Sequence, residues 1–251
     1  MIQDDFIGPP NIYRYRSNVD FTIDELSNSY IYFQNSRLLN DPFDCYHKLL
    51  KVPDDKDLIR KWAEKLLKKK DPNISRQVMR AEARKLDLGY WKNTIEQEIE
   101  KVVDGFGVGC FSSQPSNLML WANYSNYHKG LCLRFNIDNS ANFFMDLDFV
   151  DYQEELSSKD YLPGDSVKHL FYTKSNVWRM EQEYRLIKKP VGKHYFKPEA
   201  LVGIIFGKDA TKEFIFKVMD ACNNKYGNLK FYRSLPSKTT FGITIQEICE
   251  A

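Results

Sequence analysis

No stretch of this chain is apolar for long enough to cross a bilayer, and no basic-then-apolar leader opens it. Neither a membrane span nor secretion is therefore expected. Cysteine is sparse: five residues, an odd number, without Cys-x-x-Cys spacing. That excludes a zinc ribbon and argues against a disulfide framework, leaving reduced thiols in a cytoplasmic protein. Cys110 and Cys132 fall in apolar, strand-like runs, where a buried structural thiol is expected. Four scattered histidines give no metal pattern, and no metal is expected. A net charge of only +2 provides no global field toward nucleic acid or membrane. Internal repeats and low-complexity tracts are missing as well. What the chain does have is apolar and aromatic bulk: 43% of its 251 residues are hydrophobic, with 17 Phe and 15 Tyr. That suffices for one domain with its own core.

The near-neutral total hides a local excess. Residues 54–103 change character, with helical spacing over Asp57 to Lys70, Ser75 to Leu86 and Lys92 to Val103. They read as a helical insertion in a single domain spanning 1–251. Within it, residues 60–92 hold eleven Lys/Arg against four Asp/Glu. A solvated helix face is the usual meaning of such a run; the sharper one is a nucleic-acid or acidic-protein contact.

Around the insertion the pattern is mostly strand. Asn11 to Ser17 alternates Ile12, Arg14 and Arg16 against Tyr13 and Tyr15. Arginines on an edge strand discourage aggregation; alternatively Arg14 presents a guanidinium to an anionic ligand. Thr22 with Glu25 three residues on predicts a capping box opening a short helix. Tyr30 to Asn35 predicts a strand, and Asn40-Asp-Pro-Phe-Asp44 a turn, either structural or a rigid polar loop beside a cleft. Gly107 to Ser113 predicts a strand, followed by a helix capped by Ser116 or Asn117 and stopped at Lys129-Gly130, with Gly130 at positive φ. Trp121 lies on that helix's apolar stripe and is expected in the core, with Tyr124 offset from it. Ser112, at a strand end beside the helix N-terminus, suits either a structural bond or a ribose or phosphate. Phe144 to Tyr152, Leu201 to Gly207, Leu229 to Arg233 and Thr240 to Ile248 predict further strands, and Thr211 caps a helix ending near Tyr226 before Gly227. Strands outnumber βαβ units, so the expected class is α+β with a mixed, mostly antiparallel sheet.

The stretch Trp178 to Ile187 has the least ordinary composition. Strand alternation puts Glu181, Glu183 and Arg185 in one row. On a solvated face such a row does little. In a cleft it aims a carboxylate at a ligand, with Arg185 setting its charge and orientation.

Taken together, Tyr13-Arg14-Tyr15, Leu39-Asn-Asp-Pro-Phe-Asp44, Cys110-Phe-Ser112, Met119 through Tyr124, His128-Lys-Gly130 and Trp178 with Glu181-x-Glu183-Tyr-Arg185 resemble a large bacterial family known as domain-of-unknown-function family 2971. That resemblance covers nearly the whole chain outside the insertion and implies no chemistry. The order of Tyr-Arg on a first strand, aromatic-Ser at a strand end and Glu-x-Glu on a late strand is also similar to the ADP-ribosyltransferase signature. It implies a split sheet and NAD as substrate. In that resemblance Arg14 holds the dinucleotide, Ser112 orients the nicotinamide ribose, Glu183 is the catalytic glutamate and Glu181 positions the acceptor. Trp121 or Tyr124 stacks the nicotinamide, and Asn40 and Arg185 complete the binding set. Tyr15 and the Phe-Ser strand depart from that pattern. The implied role is a bacterial toxin or phage-defence effector, an ADP-ribosyltransferase or NAD glycohydrolase with a protein or nucleic-acid acceptor. Two other readings compete. One is a non-catalytic binding module in which Arg14, Asn40, Asp44 and Glu183 form a buried network. The other is a hydrolase holding Mg²⁺ on Asp41, Asp44 and Glu183, for which the spacing gives no support.

Overall fold

Alternation, caps and glycine set the elements in the order that follows. The computed structural model describes residues 10–85, 87–161 and 165–248. The chain begins with β1 (Asn11–Arg16), α1 (Asp20–Asn28), β2 (Tyr30–Asn35) and the short β3 (Leu50–Lys51). Three helices follow, α2 (Lys56–Lys70), α3 (Arg76–Lys85) and α4 (Leu88–Gly105). Leu86, the expected end of the second of them, lies outside the described residues. Next come β4 (Gly107–Ser112), α5 (Leu118–Tyr124), β5 (Leu131–Asn136), α6 (Ala141–Phe144) and β6 (Asp148–Phe149). The middle of the chain adds β7 (Asp151–Gln153), β8 (Lys159–Asp160), α7 (Asp165–Tyr172) and β9 (Thr173–Ser175). The last third is β10 (Glu183–Lys188), β11 (Gly192–Tyr195), β12 (Leu201–Phe206), α8 (Lys212–Cys222), β13 (Lys230–Pro236) and β14 (Ile243–Glu247).

These elements divide into two compact units, one of residues 1–34, 107–150 and 177–251, the other of 35–106 and 151–176. The first is built on a ten-stranded open sheet ordered β11-β2-β4-β1-β5-β12-β13-β14, with β10 also on β4 and β6 on β10. β12 and β13 run parallel. The pairs β1–β4, β1–β5, β4–β10, β2–β11, β5–β12 and β13–β14 are antiparallel. The class is therefore α+β with a mixed, mostly antiparallel sheet. One face of the sheet carries the larger core, in which Ile12, Phe111, Leu133, Phe135 and Phe206 meet Leu26 of α1 and Val218 of α8. A smaller cluster of Tyr15, Leu120, Trp121, Cys132 and Ile205 seats α5.

The second unit holds the basic helices. Asp55 caps α2 by accepting from the Asp57 and Leu58 amides, and Asp87 caps α4 through Tyr90. Ile59, Trp62 and Ala63 of α2 and Trp91, Ile95, Ile99 and Val103 of α4 are buried, and the Trp91 indole donates to the Ala83 carbonyl at 3.0 Å. The residue 40–44 turn belongs here. Asp41 accepts from the Phe43 amide at 2.9 Å, and buried Asp44 stands 3.9 Å from buried Lys174.

Four local expectations are corrected. β1 lies between β4 and β5, so its arginines are not edge residues. Thr22 does not cap α1: its hydroxyl donates to Ser17 O, while Glu25 accepts from the Tyr32 amide and pairs with Arg16 at 2.7 Å. Phe144 to Tyr152 is no continuous strand, because Phe143, Phe144 and Leu147 turn into the core at helical spacing. Finally, α8 stops at Cys222, short of Tyr226.

The end of α5 departs from expectation in an informative way. Gly130 is not left-handed; Asn126, Tyr127 and His128 are, at φ 48°, 52° and 66°. Gly130 is needed for space, since a Cβ there would strike the Arg16 carbonyl. Gly207 closes on the same turn, donating its amide to Gly130 O at 2.9 Å, and a Cβ on it would collide with His128 O. Gly207→Ala therefore forces backbone apart and is expected to cost about 3 kcal/mol, the upper end for overpacking. A urea midpoint indistinguishable from the unmodified chain's would refute this.

Candidate functional site

Strand register brings the three signature segments together. Ser112, the last residue of β4, faces Tyr13 on β1 and Glu183 on β10. Arg14, Ser112 and Glu183 thus occupy three adjoining strands of one sheet. Of the three, only Arg14 reaches a cleft of about 670 Å³, lined by Arg14, Tyr15, Arg16, Phe21, Tyr32, Gln34, Asn123 and Tyr124, among others; Ser112 and Glu183 are not on its wall. Two guanidiniums, an amide pair and four aromatic rings on its wall suit an anionic, ring-bearing ligand.

Arg14 is 8% exposed and already partly committed. Its Nη1 donates to Cys110 O and its Nη2 to Tyr32 O, each at 3.1 Å, and its carbon stands 5.6 Å from the centre of the Phe111 ring. Its buried Nε has no hydrogen-bond partner among the described residues. Arg16 is more open, its side chain 20% exposed beside the nearly inaccessible Glu25 carboxylate. Burial, and then the like charge of Arg14, draw the Arg16 pKa down to about 10, with Glu25 opposing. It stays cationic at neutral pH. Burial raises the Tyr15 phenol, which donates to Gln114 O at 2.5 Å.

The two glutamates part company. β10 begins only at Glu183, and Gln182 before it is left-handed at φ 43°. The row predicted for Glu181, Glu183 and Arg185 is therefore broken at its first member. Glu183 is buried and paired twice with Arg185, Nε to Oε1 at 2.7 Å and Nη2 to Oε2 at 3.1 Å. Arg185 itself is fully buried. Glu181 is also buried, and its Oε1 accepts from the Tyr124 hydroxyl at 2.8 Å. Tyr124 lines the cleft, so Glu181 stands one hydrogen bond behind that wall.

The end of β4 and the start of α5 hold this turn in place. Ser112 Oγ donates to Glu181 O at 2.6 Å and accepts from the Gln114 amide at 3.1 Å. The Ser113 amide reaches Gln182 O, Ser113 Oγ and Gln114 Nε2 reach Gln182 Oε1, and Asn117 Nδ2 reaches Met180 O. Asn117 also caps α5, accepting from Met119 and Leu120. Left-handed backbone at a non-glycine residue is a strain that surrounding contacts must maintain. Five bonds to residues 180–182 supply them here.

The remaining predicted residues fall elsewhere. Trp121 has no exposed surface; its indole donates to Pro115 O at 2.9 Å and its ring meets Tyr15 edge-on and lies parallel to His128. It is core, leaving Tyr124 as the ring at the wall. Asn40 is exposed in the second unit. Arg16, Tyr32 and Phe21 of the cleft were not singled out as binding residues from sequence, although Arg16 shares its strand face with Arg14. Among the described residues no group of three His, Cys, Asp or Glu is arranged to hold a metal ion. No helix among them is long and apolar enough to cross a membrane.

No protein-family model, curated protein or solved structure matches the chain.

Proposed function

We propose that the chain consumes NAD, as a mono-ADP-ribosyltransferase or NAD glycohydrolase, in the cleft between Arg14 and Tyr124. One observation carries the reading: two arginines line a cleft whose tyrosine wall is hydrogen-bonded to a buried glutamate. Arg16, with support from Arg14, binds the pyrophosphate, because guanidinium forks suit phosphate oxygens. Tyr124 and Tyr32 offer ring faces to the nicotinamide and adenine. Cleavage of the bond between nicotinamide and ribose C1′ sends the electron pair out with nicotinamide and leaves positive charge on the ribose. A carboxylate fixed in advance beside that charge lowers the barrier.

Glu181 takes the role that the resemblance gives to Glu183. Glu183 has both oxygens committed to Arg185, whereas Glu181 reaches the cleft wall through a phenol that can rotate aside or relay the interaction. Ser112 is a positioning residue in this reading: it fixes the Glu181 backbone. Purified protein should release nicotinamide from NAD, alone or once a cell lysate supplies an acceptor, as chromatography would measure. The commitment of both Arg14 terminal nitrogens, Ser112 and Glu183 to protein groups favours a second reading, a non-catalytic module with a buried polar network. Absence of both NAD binding by calorimetry and nicotinamide release would select it.

A further inference from the structure

The second unit carries a charge pattern that the cleft does not explain. α2 buries Ile59, Trp62 and Ala63, and turns Lys61, Lys65 and Lys69 outward. These are spaced i, i+4, i+8, so they form one row on the helix, about 12 Å long at the α-helical rise. α3 repeats the arrangement with Arg76, Arg80 and Arg84, all exposed. The two helices pack on one another. None of these six side chains forms an ion pair with another described residue, whereas the hairpin's acids have other commitments. Asp57 pairs with Arg60 and Glu82 with Lys85, and Asp71 accepts from the Asn73 amide. Glu64 is half-buried. Each row is thus a positive strip that no described carboxylate pairs with, in a chain whose total is only +2.

We propose that the Lys61/Lys65/Lys69 and Arg76/Arg80/Arg84 rows bind the phosphate backbone of double-stranded nucleic acid without reading its sequence. Cations about 6 Å apart along a helix match a polymer that carries a negative charge at every step of each strand. Arginine fills the α3 row completely, and its planar fork grips phosphate oxygens two at a time. No aromatic residue interrupts either row, and single-strand binding depends on such rings for base stacking. An interfacial membrane helix needs large apolar side chains opposite its basic face, exposed to lipid; here that face of α2 is buried as Ile59 and Trp62. This inference is independent of the NAD reading and stands or falls without it.

The test is fluorescence anisotropy of the full chain with a labelled random-sequence duplex, as DNA and as RNA, across a salt series. Six phosphate contacts predict that log affinity falls with log salt at a slope near −5 for DNA. Arg76→Gln/Arg80→Gln/Arg84→Gln, which keeps helix propensity, should weaken binding at least tenfold at 0.1 M salt and bring the slope to about half. Lys197→Gln/Lys212→Gln/Lys238→Gln, which removes the same charge from exposed positions of the other unit, should leave the slope unchanged. Circular dichroism of each variant verifies that its helices remain. No duplex binding at 50 mM salt, equal losses in both triple variants, or binding to anionic vesicles or polyglutamate as tight as to duplex would each overturn the proposal.

Discussion

Glu181→Gln is expected to slow nicotinamide release on the order of a hundredfold or more, the usual cost of removing a fixed group that meets developing charge. The amide keeps the size of the side chain and can still accept from Tyr124, so folding should be little affected. What disappears is the negative charge. The loss should therefore fall on kcat and not on KM, because ground-state NAD carries little of the ribose charge that Glu181 meets at the transition state. Tyr124→Phe separates wall from acid: without the hydroxyl, Glu181 loses its tether at 2.8 Å, and a smaller loss is expected. An unchanged kcat in Glu181→Gln would remove this residue from the chemistry.

Arg185→Met is the largest expected change in stability. Glu183 is 3% exposed and Arg185 not at all, so the substitution takes the bidentate partner from a carboxylate that water cannot reach. Breaking a buried pair from one side typically costs about 3–5 kcal/mol. Replacing both, as Glu183→Leu with Arg185→Met, should recover much of that, because desolvating two ions offsets most of their attraction. Thermal unfolding of the two single variants and the double gives the coupling directly. Equal stability of Arg185→Met and the unmodified chain would mean that the bidentate geometry contributes nothing to the fold.

The contrast between these residues explains what was legible in the sequence. Local chemistry could be read locally. Asn117 and Thr211 cap the helices they precede, Tyr30 to Asn35 is the strand its alternation predicts, and the apolar Leu201 to Phe206 run is a strand within the sheet. Arg14, Ser112 and Glu183 do lie on adjoining strands, but Ser112 and Glu183 pair in register with Tyr13, so Arg14 points to the opposite face and the three side chains do not converge. Long-range partners decided the rest. Glu25 belongs to Arg16 and the Tyr32 amide, which local capping rules cannot foresee. The left-handed Gln182 is imposed by Ser113, Gln114 and Asn117, some 65 residues earlier; it takes Glu181 off the strand and gives the two glutamates different surroundings. The same applies at Asn126 to His128, where neither the composition nor a glycine announces three left-handed residues; Gly207, just past the end of β12, leaves the room for them.

The cleft as a dinucleotide site is tested most directly by calorimetric titration of NAD into the unmodified chain and into Arg16→Gln. Arg16 is the more accessible guanidinium, so its removal disturbs the sheet less than loss of Arg14. A charge-assisted bond to phosphate contributes roughly 1.5–3 kcal/mol, so the variant should bind about ten- to a hundredfold more weakly. Saturable binding by the unmodified chain with that loss in Arg16→Gln is the predicted result. No binding heat at millimolar NAD, or identical affinity in both proteins, would contradict it.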